Sequence, residues 1–235
     1  MNTTKTSLLG TYRKNARWAG VFYIIATVAP ILTFPFIGFL GGGVAGEPIL
    51  DYLVVVSANE SQVIIGMLIE LTWALAVVGI IVTLFPILKK HSETFALGFS
   101  GLRFIEAICN VVHSIIGLSL LTLCLEYAAA GTPDASHFQT VGALLLAGRE
   151  WTFMIGSGLV WSLSAIVLNY GLFQSKLIPR WLSGWGFIAA ILSFATYSLQ
   201  FFGIDPTEFL FLPIAVQEMV FAVWLIVKGF NSLPE

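Results

Sequence analysis

Arg103, Glu106, Asn110 and His113 all lie within one apolar run, FALGFSGLRFIEAICNVVHSIIGLSLLTLCLEY, from Phe95 to Tyr127. At about 100° per residue, offsets of three, seven and ten from Arg103 return to one side of a helix, so the four side chains make a single polar stripe. An ionisable group at bilayer depth costs at least ~2.5 kcal/mol on insertion scales, so the stripe must face protein or water and not lipid. Two more acids, Glu70 and Glu218, stand inside other apolar runs. Glu70 and His113 make the sharper candidate site. A carboxylate and an imidazole at one depth relay a proton or hold a polar head group, because His titrates near neutrality. Such a Glu70 is expected to open to a cavity reachable from the outer face. Arg103, Glu106 and Glu218 supply charges for a polar ligand, and Glu70 or Glu218 could act as a general acid in an intramembrane enzyme.

Each group also has a structural use. Arg103 and Glu106, one helical turn apart, can form a local ion pair, with Glu218 as a third member stapling the sixth span to the third. Glu70 and His113 can join two helices by a hydrogen bond. Arg149 and Glu150, followed by Trp151 as a membrane anchor, read most simply as interfacial, although Arg149 also suits an anionic head group. His91 and His137 fall in loops on opposite sides, so the three histidines make no metal site. Cys109 and Cys124, fifteen positions apart on one helix, are separated by about 22 Å of rise and cannot bond to each other. The chain carries no phosphate loop, nucleophile elbow or paired haem ligands, so no cofactor is expected.

The elements that must position these groups follow from composition. Of 235 residues, 57% are hydrophobic and 10% charged, with a mean hydropathy of +0.91. A soluble domain carries roughly 25% charged residues, so this is a membrane protein, and one unit of it. No basic face exists that would bind nucleic acid. The apolar runs predict an all-α, polytopic membrane bundle of six spans, near 19–40, 62–88, 95–127, 151–173, 181–202 and 206–228. Residues 1–16 read as a polar lead. The first run is too long for the roughly 7 to 15 apolar residues of a signal peptide and is read as retained, bent in its second half by Pro30 and Pro35. Residues 47–57 predict a short amphipathic surface helix and 131–137 a loop. The helix over 138–148 can run unbroken into the fourth span. Asp205, Pro206 and Glu208 read as the capped start of the sixth.

Charge placement orients the bundle. Of the eleven Lys and Arg, nine (Lys5, Arg13, Lys14, Arg17, Lys89, Lys90, Lys176, Arg180 and Lys228) fall on one side if six spans alternate. The positive-inside rule then puts both termini in the cytoplasm of a cell (plasma or inner) membrane. Counted from that side at ~1.5 Å per residue, Arg103, Glu218 and Glu106 lie about 12, 15 and 17 Å deep, while His113 and Glu70 both lie at about 27 Å. The polar groups therefore form an inner and an outer layer. A faint repeat pairs Arg17, Trp18 and Gly20 with Arg180, Trp181 and Gly184, and Glu70 and Ala74 with Glu218 and Ala222.

RWAGVFYI opening the first span, LRFIEAI in the third, LIPRWLSGWG leading into the fifth and QEMVFAVWLIVKGF at the end carry a family likeness. The chain resembles, over nearly its whole length, the bacterial membrane proteins grouped as domain-of-unknown-function 4386. That resemblance implies a polytopic bacterial membrane protein and transfers no catalytic residue. The expected function is binding or transport of a small or lipid-like molecule, with membrane lipids as surroundings and Glu70, Arg103, Glu106, Asn110, His113, Arg149, Glu150 and Glu218 as candidate contacts. The competing expectations are an intramembrane enzyme acting on a lipid or isoprenoid, and an interaction or sensing subunit whose charges only hold helices together.

The one-sided basic residues predict that single cysteines placed at Ser57 and at Ser92 label from opposite faces of intact cells. Impermeant maleimide labelling reads this directly, and labelling of both from one face overturns the six-span arrangement.

Overall fold

A computed structural model describes residues 2–41, 49–131, 136–204, 206 and 208–231. Its elements are helices, with no strand among the described residues: α1 (Asn2–Gly41), α2 (Ile49–Ala58), α3 (Glu60–His91), α4 (Glu93–Ala129), α5 (Ser136–Phe153), a π-helical segment (Met154–Val160), α6 (Trp161–Ser175), α7 (Arg180–Phe201), a 3-10 turn (Glu208–Phe211) and α8 (Leu212–Val227). Five helical stretches are long and apolar enough to cross a membrane: Thr11–Ile37, Glu60–His91, Glu93–Ala129, Ser136–Ser175 and Arg180–Phe201. These match the first five predicted spans.

Local chemistry sets the ends. Glu60 stands in the first turn of α3 and Lys89, Lys90 and His91 in its last, each complementing the helix dipole. Ser92 then ends one helix and starts the next. Its N–H donates to the Leu88 carbonyl at 3.0 Å, and its Oγ accepts from the Phe95 N–H at 3.3 Å. With one residue between them, α3 and α4 form an antiparallel hairpin.

The structure changes two expectations. The polar lead is itself helical: α1 runs from Asn2, and no proline precedes Pro30 to stop it. It passes Pro30 and breaks at Ile37 (φ −137°, ψ 15°), two residues beyond Pro35. The sixth span does not begin at Pro206. A 3-10 turn comes first and α8 starts only at Leu212, because Pro213 fits a first helical turn, where its missing N–H would be unpaired anyway. At 16 residues α8 is shorter than the five stretches long enough to cross a membrane. The predicted cap residue Asp205, residues 42–48 and the centre of the 131–137 loop lie outside the described residues.

The helices close into a ring, α3 beside α4, α4 beside α5 and α6, α6 beside α7, α7 beside α8, with α1 between α8 and α3. The start of α1, the end of α3, the α6–α7 turn and the tail after α8 meet at one end. There Lys90 Nζ stands 4.3 Å from the Tyr12 ring centroid, and the Asn231 N–H donates to the Leu177 carbonyl at 2.8 Å. This end carries Arg13, Lys14, Arg17, Lys89, Lys90, Lys176, Arg180 and Lys228, while Arg103 and Arg149 lie inside the bundle. Ala16, Leu88, Phe99, Leu172, Ile178 and Leu225 fill its core. The ring's outward surface is apolar, with Leu75, Leu144 and Ile188 each exposed to 70% or more.

At about 1.5 Å per residue the 40 residues from Ser136 to Ser175 span ~60 Å, against ~33 Å for the 22 of α7. The far ends of α4 and α5 thus stand beyond α7, and α2 packs on them through Tyr52, Leu53 and Val56, against Leu120, Leu121, Cys124, Tyr127 and Phe138. The predicted surface helix is present, and it is docked.

Gly20 lets α1 reach α8. A Cβ there would stand 2.5 Å from the Ala222 carbonyl oxygen, which is backbone and cannot swing away, whereas a Cβ on Gly98 meets nothing within 4 Å. Gly20→Ala should therefore lower stability by about 1–3 kcal/mol, while Gly98→Ala is neutral or stabilising by up to about 1 kcal/mol. Thermal unfolding of the purified chain in detergent checks the pair; equal behaviour of the two variants would mean that α1 and α8 do not close the ring.

Candidate functional site

At the centre of the ring lies a cavity of about 180 Å³ to which every helix but α2 contributes, either directly or through the segment joined to it. Its charged floor is Arg103 and Glu106 on α4 with Glu218 on α8; its walls include Tyr23, Pro30, Trp73, Phe153, Trp161, Tyr197 and Phe211. Arg103 Nη1 donates to both Glu106 oxygens, at 3.1 and 2.8 Å. Glu218 is more loosely held. Its Oε1 is 3.8 Å from Arg103 Nη2 and accepts from Trp161 Nε1 at 3.2 Å, and its Oε2 accepts from Thr27 Oγ1 at 3.4 Å. The guanidinium also lies over the Tyr23 ring, 5.4 Å from its centroid. Arg103 and Glu106 are 3% and 1% exposed, Glu218 12%. The inner layer expected from depth counting is present, and it forms one triad across α4 and α8.

The π-helical segment shapes one wall. A Cβ on Gly156 would collide with the Cys109 side chain, and one on Gly158 would stand 2.7 Å from the Tyr197 ring, so the widened turn is wedged between α4 and α7. Ser157, between the two glycines, lines the cavity and donates to Asn110 Oδ1 at 2.6 Å. Asn110 is thereby engaged across helices, as its place on the stripe requires.

The outer layer is built differently from the expectation. Glu70 is 4% exposed, is absent from the cavity lining and is enclosed by donors. Arg149 reaches it with both terminal nitrogens, Nη2 to Oε1 and Nη1 to Oε2 at 3.3 Å. Ser114 Oγ donates to Oε2 at 3.1 Å, and His113 Nε2 stands 3.5 Å from Oε1. The His113 ring also donates from Nδ1 to the Arg149 carbonyl at 2.9 Å, while Arg149 Nη1 donates to the His113 carbonyl at 2.8 Å. Glu70 and His113 do meet, but Arg149 is the principal partner. Arg149 is 5% exposed: α5 runs unbroken past it, and its side chain lies inside the bundle against α3 and α4. A planar fork matched to a carboxylate, with the remaining oxygen sites filled, makes this a fully satisfied contact tying three helices. Glu150, one residue on, is exposed and joins neither layer.

Trp161, Thr27, Ser114 and Ser157 were not foreseen as partners. Hydroxyls and indoles are common in apolar runs, and only the fold shows which of them face a charge.

Because the outer pair is buried, Arg149→Ala should cost about 3–5 kcal/mol by leaving the Glu70 carboxylate unpaired. Adding Glu70→Gln should restore at least half of that loss. Thermal midpoints of the single and double variants decide it, and simple additivity of the two losses would show that the residues are not coupled.

No curated protein matches the chain, and no solved structure does. A family model described as Domain of unknown function (DUF4386) matches residues 18–229, from within α1 to just past α8, and so takes in both charged layers and the cavity between the helices. The likeness first carried by the arginine–tryptophan and LRFIEAI stretches thus extends over the whole ring, and the chain belongs to the DUF4386 family.

Proposed function

We propose that this protein is a six-span protein of the cell membrane, both termini cytoplasmic, that binds a small amphiphilic molecule in its central cavity. The observation that carries the reading is the cavity: a space of about 180 Å³ whose walls are largely aromatic and whose floor is charged. Buried ligand sites combine apolar lining with a few convergent polar groups in this way. A purely structural triad would be expected to pack closed, as the Glu70–Arg149 contact does. The six-span arrangement draws on the alternating helices and on the meeting of both chain ends with the basic loops; the 3-10 turn and α8 together supply the sixth crossing. The cytoplasmic assignment draws on the basic residues at that end.

Filling the cavity tests this reading. Ala215 lines it from α8 and is partly buried, so Ala215→Trp should occupy the space. Native mass spectrometry of the full chain is expected to show a retained small-molecule or lipid adduct that falls at least fivefold in the variant, with the thermal midpoint little changed. An adduct undiminished in a folded Ala215→Trp protein overturns the cavity as the binding site.

A second reading, an intramembrane enzyme acting by carboxylate chemistry, draws on Glu218 alone, which is the carboxylate of the floor that keeps partial exposure. Recovery of the adduct chemically altered, and unaltered with Glu218→Gln, would favour it.

A further inference from the structure

Resting on that reading of the cavity, we infer that the molecule it takes is a lipophilic organic monocation, an amine or quaternary ammonium head group, with Glu218 as its counter-ion.

The charge balance leads to it. Arg103 carries one positive charge, and Glu106 and Glu218 can carry two negative ones. Glu106 takes both close contacts from Arg103 Nη1, whereas Glu218 lies 3.8 Å from Nη2 and is otherwise held by the neutral donors Trp161 and Thr27. Among the described residues no lysine and no second arginine lines the cavity, and Arg149 is committed to Glu70. With both acids ionised the floor has one carboxylate too many, and in a membrane interior that excess must be met by a proton or by a cation. Arg103 Nε is buried without a hydrogen-bond partner and Nη2 faces Glu218 at 3.8 Å, but an anionic head group reaching that guanidinium would stand beside both Glu106 and Glu218 and be repelled by them.

The walls favour the same class. Trp73 and Phe153 stand as one aromatic pair with ring centroids 6.4 Å apart, and Tyr197 and Phe211 as another at 4.7 Å. Both pairs line the cavity. Aromatic faces attract ammonium groups, most strongly where water is excluded, and clusters of such rings recognise quaternary ammonium ligands. The Tyr23 face is already taken by Arg103, so these pairs are left for a ligand. Size limits the head group: a cavity of roughly 150 Å³ in a protein core holds one benzene ring, and this one is about 180 Å³. A compact ammonium with one ring or a short chain fits.

If proton and cation compete for Glu218, raising the pH favours the cation. The titratable and charged groups facing Glu218 across the cavity are Tyr23 from α1, Arg103 and Glu106 from α4, and Tyr197 from α7; α3 and α6 present Trp73 and Trp161, which do not titrate.

The test is calorimetric titration of the full-length protein, in an uncharged maltoside detergent, with benzyltrimethylammonium, neutral benzyl alcohol and anionic benzenesulfonate. The cation should bind at least tenfold more tightly than the other two, and more tightly at pH 8.5 than at pH 5.5. Glu218→Gln should weaken it at least tenfold and remove the pH dependence. If that variant does not fold, Trp73→Leu and Tyr197→Leu provide the alternative, each expected to weaken the cation several-fold without changing benzyl alcohol. Equal or tighter binding of the neutral or anionic probe, lost in Ala215→Trp, overturns the cation and leaves the cavity reading standing. Binding of none of the three also overturns the cation, and the adduct measurement on Ala215→Trp then judges the cavity on its own.

Discussion

A charged side chain inside hydrocarbon has to find its counter-charge before anything else about the fold can be satisfied. Two arginines here meet that requirement in two ways. Arg149 is matched to Glu70 by a planar fork and is closed in by Ser114 and His113, so nothing is left over for a ligand. Arg103 is shared between two carboxylates, and sharing leaves Glu218 incompletely matched beside an open space. The two layers use the same residue types, and the number of partners separates a tie between helices from a site.

The ring of helices follows from those placements. Glu70 on α3, His113 on α4 and Arg149 on α5 fix the order of three neighbours at one depth. Arg103 on α4, Glu218 on α8 and Trp161 on α6 draw together elements that are not consecutive, across the middle of the ring. Close approach of backbones does the rest, at Gly20 between α1 and α8 and at Gly156 between the π-helical segment and α4.

Much of this was legible in the chain. Apolar runs located five helices, the second, third and fifth within a few residues at both ends and the first and fourth too short at their starts, and counting at helical rise put Arg103, Glu106 and Glu218 in one layer. The pairing of Arg149 with Glu70 was missed for a physical reason. Its neighbour Trp151 drew the reading toward a lipid head group, and residue type alone does not reveal which side of a long helix faces another helix. The start of α8 was misplaced because Asp205 and Pro206 offer a plausible cap, while Pro213 seven residues later restricts the α-helix more strongly. The walls of the cavity could not be read at all. Tyr23, Trp73, Tyr197 and Phe211 come from helices far apart in sequence, and aromatic residues are frequent throughout this chain.

The position of α1 between α8 and α3 has a bearing on assembly. As the chain is synthesised, α1 can pack on α3 at once, but its other flank stays open until the last helix arrives. Before that moment the inserted segments hold two arginines facing two glutamates, Arg103 with Glu106 and Arg149 with Glu70, a neutral set that the lipid phase can accept. The unmatched carboxylate is delivered by the final helix, the same one that closes the wall. The protein thus acquires its electrostatic imbalance only as the last helix completes the wall beside it.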